Sequence, residues 1–337
     1  MRDYTVGGPE AENAATKNLV EAEWFKPVVD RETMKSLMAR SNGVAARDTV
    51  LWLVLLIGSG YLAYKSWGTW WAVPGFGIYG VLYGSASDAR WHECGHRTAF
   101  RTRWANDVVY HVASFMDFRE PVSWRWSHAR HHSDTIIVGR DPEIAFKRGA
   151  PLLHVVLELF AVRTVIAETK KLFLNAVGRP TAEQADFQPA DEMRASTRWS
   201  RLFIVVFAGV VVWCVAVGSV LPAMFIGLPT FYGRWLMVVY GITQHAGLAE
   251  DVLDHRLNTR TVMMNRVNRF LYLNMNYHLE HHIFPTVPYH SLPALHRVVA
   301  DQLPEPHRGI WHALREILPA LARQRSDQTV ALARVLP

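Results

Sequence analysis

LFIVVFAGVVVWCVAVGSV, residues 202–220, carries no charged side chain. A bilayer hydrocarbon core about 30 Å thick takes roughly 20 apolar helical residues to cross. This stretch meets that length and predicts a transmembrane helix. Three further segments follow the same pattern. VLWLVLLIGSGYLAYKSW (50–67) and residues 71–85 flank the tryptophan-rich turn GTWW. PTFYGRWLMVVYGITQHAGL (229–248) includes Arg234 and His245. The first pair reads as a hairpin, with Trp67, Trp70 and Trp71 at the interface and Lys65 reaching toward it.

Charge sets the orientation. Arg40 and Arg47 precede the first segment, and Arg90, Arg97, Arg101 and Arg103 follow the second. Arg194, Arg198 and Arg201 lead into the third; Arg256 and Arg260 follow the fourth. The tips GTWW and LPAMFIGL are uncharged. Basic flanks on one side place both termini and the long polar segments in the cytoplasm. The expected fold is therefore all-α and integral to the membrane: four transmembrane helices in two hairpins under a cytoplasmic helical cap. Three parts are expected: an N-terminal segment 1–48, a core 49–250 containing the cytoplasmic insertion 86–200, and a C-terminal part 251–337. Residues 151–177 read as amphipathic and suited to the interface.

Composition agrees. Half of the 337 residues are hydrophobic and 13 are tryptophan, yet the mean hydropathy is only +0.02, as expected of apolar segments diluted by a polar portion. Cys94 and Cys214 make a disulfide framework improbable. The net charge of +6 suits basic loops facing an anionic leaflet, and nucleic acid is not expected as a partner. The polar, acidic start MRDYTVGGPEAENAATKNL lacks the pattern of a signal peptide.

The histidines point to chemistry. WHECGH places His92 and His96 four apart. WSHARHH places His128, His131 and His132 at i, i+3 and i+4, and NYHLEHH repeats that spacing with His278, His281 and His282. Such residues share one helix face, so each cluster can aim its imidazoles at one place. His245 stands at the cytoplasmic end of the fourth segment, where an ionisable residue is a functional candidate. H-E-x-x-H alone fits a zinc metalloprotease with Glu93 as general base, but that reading leaves six clustered histidines without a role. Nine imidazoles exceed the needs of one metal and match two; imidazole suits iron, zinc, copper or nickel. Glu93, Glu280, Asp134 and Asp141 are candidates to orient imidazoles. His154, His296, His307 and His312 are assigned structural or exposed positions.

The three boxes, their order and their relation to two hairpins resemble the membrane fatty-acid desaturase and hydroxylase superfamily from about residue 50 to 300. The stretch NMNYHLEHHIFPTVPYHSLPALH (274–296) is similar to the third box of acyl-lipid desaturases. The resemblance implies a di-iron centre held by His92, His96, His128, His131, His132, His245, His278, His281 and His282. It implies a reaction that takes O2 and two electrons and yields a double bond in an acyl chain; the alternative product is an alcohol, formed on a lipid or a small non-lipid substrate. No His-Pro-Gly-Gly sequence occurs, so a separate ferredoxin, rubredoxin or cytochrome b5-like carrier is expected as electron donor, at a bacterial inner membrane. The segment SDTIIVGRDPEIAF (133–146) departs from the short run common in acyl-lipid enzymes, which leaves the substrate head group open.

Overall fold

Ser41 opens the first long helix by accepting a hydrogen bond from Val44 N through its side chain. In the computed structural model, which describes residues 2–337, this helix is α1 (Asn42–Lys65). It turns through the tryptophan-rich tip into α2 (Ala72–Gly84), breaks at Ser85 and resumes as α3 (Ala86–Gly95). Next come α4 (Arg103–Met116), α5 (Pro121–Ser133), α6 (Leu152–Leu159) and α7 (Val162–Ala176). The second long apolar helix is α8 (Met193–Val217), stopped by Gly218 in the left-handed conformation. Two short helices, α9 (Pro229–Gly233) and α10 (Trp235–His245), run back from it. The third histidine box forms α11 (His278–Ile283), and α12 (Ile310–Gln324) closes the core near the C-terminus. Among the described residues there is no strand, only the isolated bridges Thr261–Tyr277 and Val262–His307.

Two helical stretches, within Arg31–Lys65 and Ala190–Val217, are long and apolar enough to cross a membrane. Their exposure separates them from core helices of a soluble protein: only 17 % of the apolar window in the second is buried. Val205, Val211, Val212 and Val215 face outward there, as do Val50, Val54, Ile57 and Leu62 on α1. The second and fourth expected spans are shorter. The second is the 13-residue α2, and the fourth is divided at Arg234 into α9 and α10.

The short helices are fixed by close backbone contact. A Cβ on Gly233 would lie 1.9 Å from the carbonyl oxygen of Gly80, and one on Gly84 would lie 2.8 Å from that of Pro229. Small residues thus let α2 and α9 touch main chain to main chain, the packing that works where lipid supplies no hydrophobic drive. Ser85 locks the junction: its Oγ donates to Gly233 O (2.5 Å) and accepts from Met237 N (3.0 Å). Trp52 Nε1 donates across the first hairpin to Leu82 O (2.8 Å). Above this layer one core joins residues from Leu37 and Ala45 through Trp91 and Tyr110 to Leu292 and Leu303, so the N-terminal segment, the insertion and the C-terminal part share it.

Gly233→Ala should destabilise the fold by about 3 kcal/mol, because neither backbone can yield to the added methyl. Gly58→Ala, with nothing within 4 Å of its added Cβ, should leave the melting temperature of the detergent-purified protein unchanged. Equal melting temperatures for the two variants would refute the contact.

Candidate metal centre

Each histidine box lies on or at the end of a short helix. Glu120 caps α5 by accepting from Val122 N and Ser123 N at 3.0 and 2.8 Å, with Pro121 in the first turn. That cap sets the rotation of α5 and so the direction of His128, His131 and His132. α3 carries His92 and ends at His96; α10 ends on His245; α11 carries His278, His281 and His282.

All nine sequence-expected histidines come together, in two groups. His92, His96, His128, His132 and His281 offer ring nitrogens that all lie within 4.8 Å of one another, and His131, His245, His278 and His282 form a second such set. The facing atoms are Nε2. His92 and His281 approach to 2.6 Å, His96 and His128 to 3.0 Å, and His132 and His281 to 3.3 Å. In the second group His245 and His278 stand 3.1 Å apart, and His278 and His282 3.0 Å.

The outer edges of four rings are held. His131 Nδ1 donates to Asp141 Oδ2 (2.8 Å) and His128 Nδ1 to Glu143 Oε2 (3.0 Å). His245 Nδ1 donates to Asn258 O (2.8 Å), and His282 Nδ1 to Thr135 Oγ1 (3.2 Å), whose own hydroxyl donates to His131 O. A proton held on Nδ1 leaves the Nε2 lone pair pointing inward, which is the tautomer a metal needs. Where neighbouring rings share that tautomer, their lone pairs meet at 2.6–3.3 Å, an arrangement that a cation between them relieves. Burial, reinforced by the neighbouring imidazoles, holds His92, His128, His132, His278, His281 and His282 well below the ordinary histidine range, and burial takes His96 to about 4. Burial also opposes protonation of His131, but the Asp141 carboxylate outweighs it and raises that ring. The donor set fits two metal ions.

Three of the four expected orienting carboxylates are elsewhere. Glu93 Oε1 accepts from Tyr289 N (3.1 Å), and burial lifts its carboxyl to about 7. Glu280 accepts from Thr261 Oγ1 (2.5 Å) and pairs with His296 Nδ1. Asp134 pairs with Arg140 (3.0 Å) and Arg130 (3.6 Å). The reason is helical geometry: a residue next to a ligand in sequence projects toward another face. Asp141 alone of the four touches a cluster histidine, and Glu143, Thr135 and Asn258 were not anticipated. His296 takes the structural place expected of it against Glu280, and His307 and His312 pair through Nδ1 at 3.0 Å.

The loop carrying Asp141 and Glu143 is itself fixed. Asp141 Oδ2 accepts from Ile136 N (2.8 Å) and Oδ1 from Glu143 N (2.8 Å). Gly139 lies under the N-terminal segment, accepting from Gly7 N (2.9 Å), and a Cβ there would strike Ala11 N at 2.4 Å. A cavity of about 290 Å³ opens beside the centre, reached by His92, His128, His131, His245 and His278 and walled by Trp91, Trp124 and Met237.

Comparison with known proteins gives a family model described as Fatty acid desaturase, matching residues 68–314. The Delta(12) acyl-lipid conjugase (11E,13E-forming) of Impatiens balsamina is 28 % identical over 68 % of this chain and 64 % of its own length. The Delta(12) fatty acid desaturase of Calendula officinalis is 28 % identical, covering 69 % and 66 %. An omega-6 fatty acid desaturase of Glycine max, endoplasmic reticulum isozyme 1, is 27 % identical over 72 % and 71 %. The match thus takes in about two thirds of the length of these relatives.

Asp141→Asn should weaken metal retention about 10–100-fold, the cost of losing an outer partner of a ligand imidazole. Asp134→Asn should leave it unchanged. Chelator-competition titration of both variants decides; equal retention would remove Asp141 from the centre.

Proposed function

The chain belongs to the fatty acid desaturase family, and from that premise we propose that it is an O2-dependent membrane oxidoreductase that introduces a double bond into a fatty acyl chain. The observation that carries this reading is the gathering of nine inward-facing imidazoles into a set of five and a set of four. In this proposal His92, His96, His128, His132 and His281 hold one iron, and His131, His245, His278 and His282 hold the other. Bound iron supplies what no side chain can, the activation of O2 to attack an unactivated C–H bond. The overall balance is two C–H hydrogens, O2, two electrons and two protons giving one C=C bond and two waters, with the electrons delivered by a ferredoxin, rubredoxin or cytochrome b5-like donor.

The protein's own groups do the positioning. Asp141 and Glu143 keep protons on the outer nitrogens of His131 and His128. Trp91 and Trp124 wall the cavity, and the Arg119 guanidinium packs over both rings at 4.0 and 4.6 Å.

The proposed topology has four crossings. α1 and α8 cross outright, α2 makes the second crossing as far as the Ser85 break, and α9 with α10 makes the fourth. Basic flanks support a cytoplasmic position for the histidines, and the membrane of this proposal is a bacterial inner membrane. The zinc protease alternative loses support because Glu93 accepts from Tyr289 N instead of facing the cavity.

Protein expressed without competing zinc should hold about two iron atoms per chain and, given O2 and a reducing system, should release product lacking two hydrogens, seen by mass spectrometry of lipid extracts. His282→Ala should lose metal and product together, whereas Glu93→Gln should keep its metal. His245→Ala should insert normally and lose about half its iron, as expected when one of two metals loses a ligand. One bound zinc with O2-independent turnover would overturn the reading.

A further inference from the structure

Arg234 stands where α9 gives way to α10, and it lines the cavity beside the histidine clusters. Its side chain is 5 % exposed, and its Nε and Nη1 meet no hydrogen-bond partner among the described residues. Buried charges are ordinarily paired, so an unpartnered guanidinium in a cavity wall calls for an anion. None of the nearby carboxylates hydrogen-bonds to Arg234 or forms an ion pair with it. Asp88 Oδ1 accepts from Arg119 Nη1 (2.6 Å), Asp117 Oδ1 accepts from Ser87 Oγ (2.7 Å), and Glu158 accepts from Thr164 Oγ1 (2.8 and 3.0 Å).

The spacing indicates what kind of anion. From Arg234 the wall follows α10 through Met237, Val238 and Gly241 to His245, a helical rise of about 16 Å. A ligand bound at the guanidinium therefore needs an apolar chain to bring a carbon to the histidines. The guanidinium fork matches a planar carboxylate in a two-bonded geometry. We propose that the cavity takes a single-chain carboxylate, a free fatty acid anion, with Arg234 binding its head and its chain lying along α10 toward the clusters. The proposal rests on reading this cavity as the substrate site of the desaturase. It assigns a head group different from the acyl lipid in the name of the Impatiens relative.

The test compares octadecanoate with its methyl ester, binding each to metal-loaded, detergent-purified full-length protein by equilibrium dialysis. Wild type should bind the acid about 10–100-fold more tightly, as a hydrogen bond to a charged group implies. Arg234→Gln should abolish that preference while leaving the ester's affinity unchanged, and Arg234→Lys should keep part of it. A monodisperse profile and an unchanged melting temperature establish that each variant is folded. Should Arg234→Gln fail to fold, the acid-to-ester ratio of wild type and of Arg234→Lys still decides. Equal affinities in wild type overturn the proposal. So does an acid preference that survives Arg234→Gln, since the carboxylate would then be bound by metal. Likewise, an Arg234→Gln variant with unchanged binding of both ligands would place them away from Arg234 and overturn the proposal. Arg234-dependent binding of the acid without any unsaturated product would keep the carboxylate site and discard the desaturase reading. Unsaturated product from the ester without acid preference would do the reverse.

Discussion

Nine Nε2 atoms converge on two small volumes, with closest approaches of 2.6–3.3 Å, and the rest of the molecule is arranged to allow it. Burial and crowding disfavour an added proton on these rings, His131 beside Asp141 excepted, and four of the nine hold an outer-nitrogen proton against an acceptor. The Nδ1 acceptors are carboxylates, a carbonyl and a hydroxyl on different parts of the chain. They are pinned in turn. Asp141 receives two backbone N–H groups besides the imidazole, so its position does not depend on the histidine it serves.

The membrane layer meets the same demand by other means. α3 and α10 bring His92, His96 and His245 to the centre, and both emerge from junctions next to the α2–α9 contact. Ser85 ties those junctions together through Gly233 O and Met237 N. A glycine on each side of the contact lets the backbones meet, which removes the slack that side-chain packing would leave. The helices here are short because they serve as brackets; the long helices α1 and α8 expose apolar faces instead.

Much of this was legible in the sequence, for local reasons. Spacings of three and four residues read directly as one helical face, which is why all nine histidines could be named beforehand. Apolar length identified α1 and α8. The breaks at Ser85 and Arg234 left no comparable signal, because they answer to backbone contacts between segments far apart in sequence. The orienting carboxylates show the same limit. Glu93 and Glu280 looked suitable because they adjoin ligands in the chain, yet adjacency on a helix turns a side chain away. Asp141 reaches His131 only because a loop carries it back over ten residues, and the N-terminal segment that covers this loop at Gly139 bears no motif at all.

The H-E-x-x-H spacing shows how far a motif depends on its surroundings. Two histidines on one helical turn present nitrogens to a shared point in either kind of enzyme. In a zinc protease the intervening glutamate must reach water at the metal. Here Glu93 is turned into the core against Tyr289 N, where burial lifts its carboxyl to about 7. Turned toward a backbone amide and away from the cavity, it is not placed to serve as the base. The ligands of the centre are themselves uncharged, and the carboxylates touching cluster rings are Asp141 and Glu143 on their outer nitrogens. Metal held this way keeps much of its positive charge, whereas a site built from carboxylates would cancel it. Under the proposed function, such a centre would favour the uptake of electrons from outside.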